Sequence, residues 1–472
     1  LHIKQKIITF TDGGKMQKYK LSIHVFRRDL RLEDNTALIE ALKNSEKLIP
    51  CFILDNKQLE NNAYRSDNLI EFMQNSLIEL DDQLKSKGSR LYLFYGETEK
   101  ILGKIIQKQA VDAVFFNADY TPFSIKRDES IKRLCTKNKT ACHIFHDALI
   151  NPPGAVLKKD GKPYSIFTPF YKKAKIFPVS KTRENNYANY YTGKIKEEID
   201  KTVFKKILPQ ENNAILLKGG RKEAKKLLEN TKNLQHYAEE RNIPSKKETS
   251  LLSAHNKFGT VSIREVHQYL STHLGNENPI LTELYWRDFF SHIVFFFPHV
   301  IGGCFYEKYN SIEWENSKKK FNAWCEGKTG FPIIDAGMRE LNTRGWMHNR
   351  VRMITASFLV KDLHIDWRWG EKYFAQKLID YDPAVNNGNW QWAASTGCDA
   401  QPYFRIFNPW TQQKKFDSDS VYIKKWIPEL KKLSTKEINS LDHKWSENLS
   451  YPKPIVKHKE AATEAKMLFA SV

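Results

Sequence analysis

The sequence predicts an α/β domain on a doubly wound, Rossmann-like parallel sheet, then a long connector, then an all-α domain. Three observations carry this prediction. Strand-like and helix-like segments alternate over residues 20–150. Residues 151–211 lose that pattern, and Lys, Asn and Tyr dominate their later part. Helical periodicity takes over across residues 212–472. A chain of 472 residues is also too long for one ordinary core.

The β-rich runs are 21–26, 48–54, 91–95, 111–117 and 143–145, separated by amphipathic stretches such as 67–87 and 125–138. That order predicts right-handed βαβ units, with ligand sites at the carboxyl ends of the strands. No GxGxxG follows the first run, so the usual dinucleotide fingerprint is absent. Pro152-Pro153-Gly154 opens the connector. Helices are expected at 222–241, 262–274, 280–296, 333–343, 349–363 and 370–378. Residues 1–19 precede the periodic pattern and read as a disordered extension, or as a leader to a start at Met16.

Lys and Arg number 75 against 55 Asp and Glu, a formal charge of +20. Such a surplus points to a polyanion, DNA or RNA first, although a solvated basic surface also explains it. Six scattered cysteines without CxxC spacing fit a reducing compartment. The segment 142–146, Cys-His-Ile-Phe-His, reads as a strand rather than a zinc site, and no metal is expected. The longest apolar run, 293–297, cannot span a membrane, and no signal peptide is visible, so the cytoplasm is expected. Gly327-Lys328-Thr329 imitates the end of a P-loop, but Asn322 stands where its first glycine belongs.

Two segments concentrate polar chemistry. In a helix starting near His348, Asn349 and Met353 share a face, while Arg350 and Arg352 point elsewhere. The residues alone leave open a pocket for planar bases or a capped amphipathic helix. Residues 378–392 place Asp380, Asp382, Asn386, Asn387 and Asn389 in a polar loop beside Trp390 and Trp392. Buried, those groups need a partner rich in donors and acceptors.

The runs 346–363 (WMHNRVRMITASFLVKDL), 387–409 (NGNWQWAASTGCDAQPYFRIFNP) and 26–35 (FRRDLRLEDN) closely resemble class I cyclobutane-dimer photolyases of the photolyase/cryptochrome family. The resemblance extends from about residue 21 to residue 459. It implies an N-terminal antenna domain and a helical domain holding FAD. Tyr237 and Thr249-Ser250-Leu251-Leu252-Ser253 match the phosphate-binding region. Leu251 replaces a frequent Arg there, and Ile280 replaces a common stacking aromatic. Asp380, Tyr381 and Asp382 match the segment along the isoalloxazine and ribose, with Arg352 the partner of Asp380. Asn386 matches the residue beside flavin N5, where an amide can hydrogen-bond but cannot donate a proton as a carboxylic acid does.

Singly, Trp390, Trp367 and Trp314 read as core residues. Together they match the chain that carries electrons to photoexcited flavin. Glu283 matches the carboxyl that binds the dimer, Trp286 and Trp392 its stacking walls, and Asn349 and Met353 its floor. Arg241, Arg287, Arg350 and neighbouring lysines would hold phosphates of DNA containing pyrimidine dimers. A monomer without an obligate protein partner is expected. The second chromophore is open between reduced folate, deazaflavin and flavin. Phe123, Ser124 and Gly302 depart from the folate pattern. His348-Asn349 lacks the paired histidines of (6-4) photolyases, and Asn386 argues against a plant-type cryptochrome.

Overall fold

A computed structural model describes residues 19–60, 62–207, 211–246, 248–399 and 404–472. The extension expected at the N-terminus lies outside the described residues up to residue 18, as do residues 400–403 of the run 387–409. Five parallel strands, β1 (Tyr19–Phe26), β2 (Ser45–Leu54), β3 (Tyr92–Tyr95), β4 (Ala113–Asn117) and β5 (Ala141–Phe145), pair in the order β3-β2-β1-β4-β5. The two-residue alternation of each strand divides its side chains between two cores. Ile49, Cys51 and Ile53 pack with the helices Thr98–Gln109 and Pro122–Lys137. Leu48, Phe52 and Leu54 pack with Thr36–Asn44 and Asp67–Ser86. Both faces are covered, so the strands read as nearly continuous apolar runs.

The second of these cores continues into the helical domain through Ala254, Phe258 and Ile379. Phe72 stacks on Phe258 with centroids 5.4 Å apart. At this seam Gly259 has φ +60, and an added Cβ would stand 2.2 Å from the carbonyl oxygen of Arg28. The close approach lets Leu30 N–H donate to the Phe258 carbonyl at 3.0 Å. Charged groups lock the same seam. Arg264 donates to Asp34 Oδ2 at 2.8 Å and to Asp147 Oδ1 at 2.7 Å, and Arg31 to Asp147 Oδ2 at 2.6 Å.

The connector folds back on the sheet through bridges Leu48–Tyr190 and Leu93–Ile199, and contains the helix Phe167–Ala174. Helices dominate beyond it. The largest core surrounds the helix Asn349–Lys361 and gathers Trp324, Trp367, Phe374 and Trp390. Two sequence expectations need correction. The helix expected over 222–241 breaks into Arg221–Asn230, a 3-10 turn Thr231–Asn233 and a short helix Tyr237–Glu240. At the break the Thr231 hydroxyl bonds the Leu228 carbonyl at 2.6 Å, competing with the backbone ladder. The polar loop expected over 378–392 is a loop only to Asp382. Asp382 caps and Pro383 opens a helix to Ala394, so Asn386 and Asn387 are helical. Among the described residues no helix is long and apolar enough to cross a membrane.

Candidate active site at the domain junction

The sheet order reverses between β1 and β4, the switch point at whose carboxyl ends open α/β sheets bind ligands. Arg28 follows β1 and Asp119 follows β4. Arg28 Nη1 donates to Asp119 Oδ1 at 3.1 Å, and Nη2 makes a short bond to Asp382 of the helical domain. Lys257 and Arg287 belong to the same half-buried charge group. Burial and then Arg28 lower Lys257 to about 8. Against the cost of burial, Arg28, Arg287 and Lys257 hold Asp382 below the usual carboxylate range. The cations Arg28, Lys257 and Arg287 share this space with Asp119, Asp382 and, beside Arg287, Asp288, whose carboxyl burial pushes up to about 7, away from the charged form; a bound anion would complete the cluster.

The backbone beside Lys257 suits such an anion. Leu251 takes the left-handed conformation at φ 55, and Leu252 follows at φ −87, ψ −2. Consecutive left- and right-handed residues turn successive N–H groups toward one side, forming a concave anion site. Leu251 therefore contributes backbone geometry even without the arginine common at its position. Ser250 Oγ accepts from Leu252 N at 3.4 Å, and Ser253 opens the helix Ser253–Phe258. Tyr237 is buried close by, its phenol pushed well up chiefly by burial. Ile280 is buried in the first turn of Pro279–Phe296.

The next layer contains the pairing expected from the sequence. Arg352 donates Nη1 to Asp380 Oδ1 at 3.2 Å and Nη2 to Asp380 Oδ2 at 2.9 Å. Its Nε donates to the Met347 carbonyl at 2.7 Å, fixing the guanidinium plane. Asn386 is buried and donates Nδ2 to the Glu371 carbonyl at 3.0 Å. Burial pushes the Glu371 carboxyl up to about 7, opposed by hydrogen bonds from Asn386 and Tyr64. Tyr64 reaches across from the α/β domain and stacks on Tyr381, centroids 6.3 Å apart.

Trp390, Trp367 and Trp314 all belong to, or pack on, the main core. Trp390 meets Phe374 at 5.0 Å and Trp324 at 6.2 Å. Gly370 makes room for it, since an added Cβ would stand 2.2 Å from Trp390 Cη2. Trp367 is wholly buried in the first turn of the helix Trp367–Lys377. Trp314 is half-buried, edge-on to Phe469 at 5.7 Å.

A second, more open group lies on the outer parts of the same elements. Asn349 Nδ2 approaches Met353 Sδ at 3.9 Å on the face expected from their spacing. Arg241 Nη1 donates to Glu283 Oε1 at 2.6 Å, with 41 % of the Glu283 side chain exposed. Desolvation raises the Glu283 carboxyl, while Arg241 opposes that shift. Trp286 stacks face to face on Phe167 of the connector, centroids 3.5 Å apart. Trp392 lines a small recess with Ser357, Lys361, Ser395, Arg405 and Phe407. Arg350 is held by Asn242 Oδ1 at 2.7 Å and lies over the Phe416 ring. Arg287 sits deeper than its expected phosphate role suggests, donating Nη2 to the Asn256 carbonyl at 3.0 Å within the junction cluster. Of the residues that depart from the folate pattern, Phe123 is exposed and Ser124 donates to Asp119 Oδ2 at 3.0 Å. Gly302 accepts from Arg368 Nε at 2.8 Å.

Sequence reasoning missed Arg28, Lys257, Glu371, Tyr64 and Phe167. Arg28 sits inside the recognised 26–35 run, and that was its available signal. The others are single residues that only packing brings to the site.

The fold and site together define a protein with an α/β domain seated on a helical, anion-seeking cofactor domain. The sequence pattern of DNA photolyase matches residues 22–184, and that of the FAD binding domain of DNA photolyase matches residues 280–471. A deoxyribodipyrimidine photo-lyase of Alkalihalophilus pseudofirmus is 38% identical, over 94% of this chain and 96% of that one. An archaeal photolyase from Sulfolobus tokodaii with two FAD molecules superposes with TM-score 0.87 at 43% identity, covering 96% of this chain and 100% of its own. A bacterial class III photolyase from Agrobacterium tumefaciens gives TM-score 0.88 at 33% identity, covering 98% and 99%. The chain belongs to the DNA photolyase family.

FAD fits the residues present. The cations Arg28, Lys257 and Arg287 and the 249–253 backbone suit a pyrophosphate. The amide of Asn386 and the Asp380–Arg352 pair suit the donors and acceptors of a flavin edge.

Proposed function

We propose that the chain repairs cyclobutane pyrimidine dimers in DNA using light, with FAD as the redox cofactor. One observation carries this reading: two helices each bear residues assigned here to the cofactor and residues assigned to the lesion. Asn349–Lys361 carries Arg352, paired with Asp380, and, on another face, Asn349 and Met353. Pro383–Ala394 carries Asn386 and Trp392. Two rigid elements thus tie the cofactor to the dimer pocket. In this reading residues 20–150 form the antenna domain, 151–211 the connector and 212–472 the catalytic domain.

When bound and reduced, FAD supplies a photoexcited electron to the dimer and receives it back after the cyclobutane bonds have broken. The protein extrudes and holds the dimer. Flipping costs a few kcal/mol, less for a damaged pair, and each aromatic wall returns about 1–3 kcal/mol through stacking. Trp286 and Trp392 are those walls, Asn349 and Met353 the floor. Glu283 accepts or donates at the polar edge of the bases, positioned by Arg241, and stabilises charge arriving there. Arg241 and Arg350 hold phosphates beside the dimer, while Arg287 secures the junction. Asn386, held by Glu371, hydrogen-bonds the flavin edge without acting as an acid. Trp314, Trp367 and Trp390 carry electrons inward from the surface when the flavin is oxidised.

The unpaired cysteines support a cytoplasmic, reducing setting, and we read the enzyme as a monomer on DNA. For the antenna, the placement of Phe123 and Ser124 disfavours folate, and the Sulfolobus relative with two FAD molecules favours a flavin. The purified, reduced protein should restore a dimer-containing oligonucleotide under blue light. Repair of (6-4) products alone would overturn the substrate assignment.

A further inference from the structure

The connector carries a charged feature that the repair site does not use. Between residues 156 and 183 stand seven lysines and one arginine against a single acid, Asp160. Lys158, Lys159 and Lys162 crowd one tight hairpin, and all three are exposed. The turn is well built. Lys158 N–H donates to the Lys162 carbonyl at 2.9 Å, and Gly161 N–H to the Lys158 carbonyl at 3.0 Å. Lys162 N–H donates to Asp160 Oδ1 at 3.1 Å, and Gly161 supplies φ +77. Of the three ammonium groups, Lys162 approaches Asp160 at 3.8 Å with 76% of its side chain exposed, and Lys158 lies 5.9 Å over the Tyr164 ring. A fixed turn that gathers like charges is electrostatically unfavourable in isolation, and a polyanion reverses the sign.

The location identifies the polyanion. One arm of the hairpin ends at Val156, buried in the core that includes Phe167, Phe289 and Phe290. The other runs through Ser165, whose carbonyl accepts Asp399 N–H at 3.1 Å, into Phe167, stacked on Trp286. Phe167 is five positions beyond Lys162, a span of at most about 18 Å. Duplex DNA rises 3.4 Å per base pair, so this reach is about five base pairs. The lysines therefore lie within about five base pairs of a dimer held against Trp286, where the flanking duplex would run.

We propose that the Lys158–Lys159–Lys162 hairpin is a second DNA contact, which grips the phosphates of the duplex flanking the lesion. The proposal rests on the dimer-repair reading above and extends it to a surface outside the pocket.

The test compares the FAD-loaded wild type with the variant K158A/K159A/K162A on two substrates: a dimer within a long duplex, and the same dimer in a single-stranded pentamer. The variant should bind the duplex about tenfold more weakly at low salt, with a log K against log salt slope shallower by about two to three. Its affinity for the pentamer and its repair yield once saturated should match wild type, as should its FAD content and Tm. Equal duplex affinity and slope in the two proteins would overturn the hairpin contact. So would equal losses on duplex and pentamer. Failure of the dimer-repair reading is distinguishable, because the reduced wild type would then leave the pentamer unrepaired.

Discussion

Glu371 shows how burial sets the state of one carboxyl beside Asn386. Its pKa rises to about 7 because desolvation outweighs the hydrogen bonds from Asn386 and Tyr64. A raised acid binds more protons folded than unfolded between its ordinary value and about 7, so its contribution to stability falls as pH rises across that window. Glu371→Gln keeps the hydrogen-bonding shape and removes the titration. Relative to wild type, the variant should therefore gain Tm at pH 8 compared with pH 5, with a ceiling of about 3 kcal/mol. Thermal melts at the two values check this, and a constant difference would refute the shift. Trp314 makes the other residue-scale prediction. Half-buried at the outer end of the expected chain, its replacement by Phe should impair photoreduction of oxidised flavin, while chemically reduced enzyme repairs dimers normally.

At the scale of elements, helix-to-helix approach controls the tryptophan core. The helices Trp367–Lys377 and Pro383–Ala394 can close only because residue 370 has no side chain. Gly370→Ala would drive a methyl into Trp390 and to 2.5 Å from Leu359 Cδ2. Overpacking of this kind costs about 1–3 kcal/mol. The variant should melt lower and photoreduce more slowly, since Trp390 must move; transient absorption and calorimetry measure both. The short capped loop before Pro383–Ala394 illustrates what patterning reads well and badly. Asp382-Pro383 is a strong helix start, yet Asn386-Asn387-Gly388 is a poor helix sequence, so propensity pointed to a loop. Tertiary bonds overrode it: Asn387 Nδ2 donates to the Val300 carbonyl at 2.9 Å, and Asn386 to Glu371.

For the whole molecule, the junction between domains is both scaffold and site. Arg264 spans it, held between the buried Asp34 and Asp147. Arg264→Met would leave both carboxylates short of a partner, a loss of about 3–5 kcal/mol for a buried pair. Tm should drop, and FAD should be released at lower temperature than from wild type, because the same seam carries Arg28 and Gly259. The charge of +20 acts at this scale too. DNA binding should weaken steeply with added salt, as counterion release requires, and a flat salt dependence would remove the polyanion reading.

The sequence by itself determined the order of strands and helices and the expected pairing of Arg352 with Asp380. It also placed Asn349 and Met353 on one face. Those features depend on local periodicity or, for the Arg352–Asp380 pair, on the family resemblance. Tertiary structure alone decided that Arg28, Lys257, Arg287, Asp119 and Asp382 form one charge group. The same holds for the connector's Phe167 backing Trp286, and for Tyr64 reaching Tyr381. These contacts join residues from different domains through long-range burial, and no local pattern encodes which distant side chains share a desolvated space.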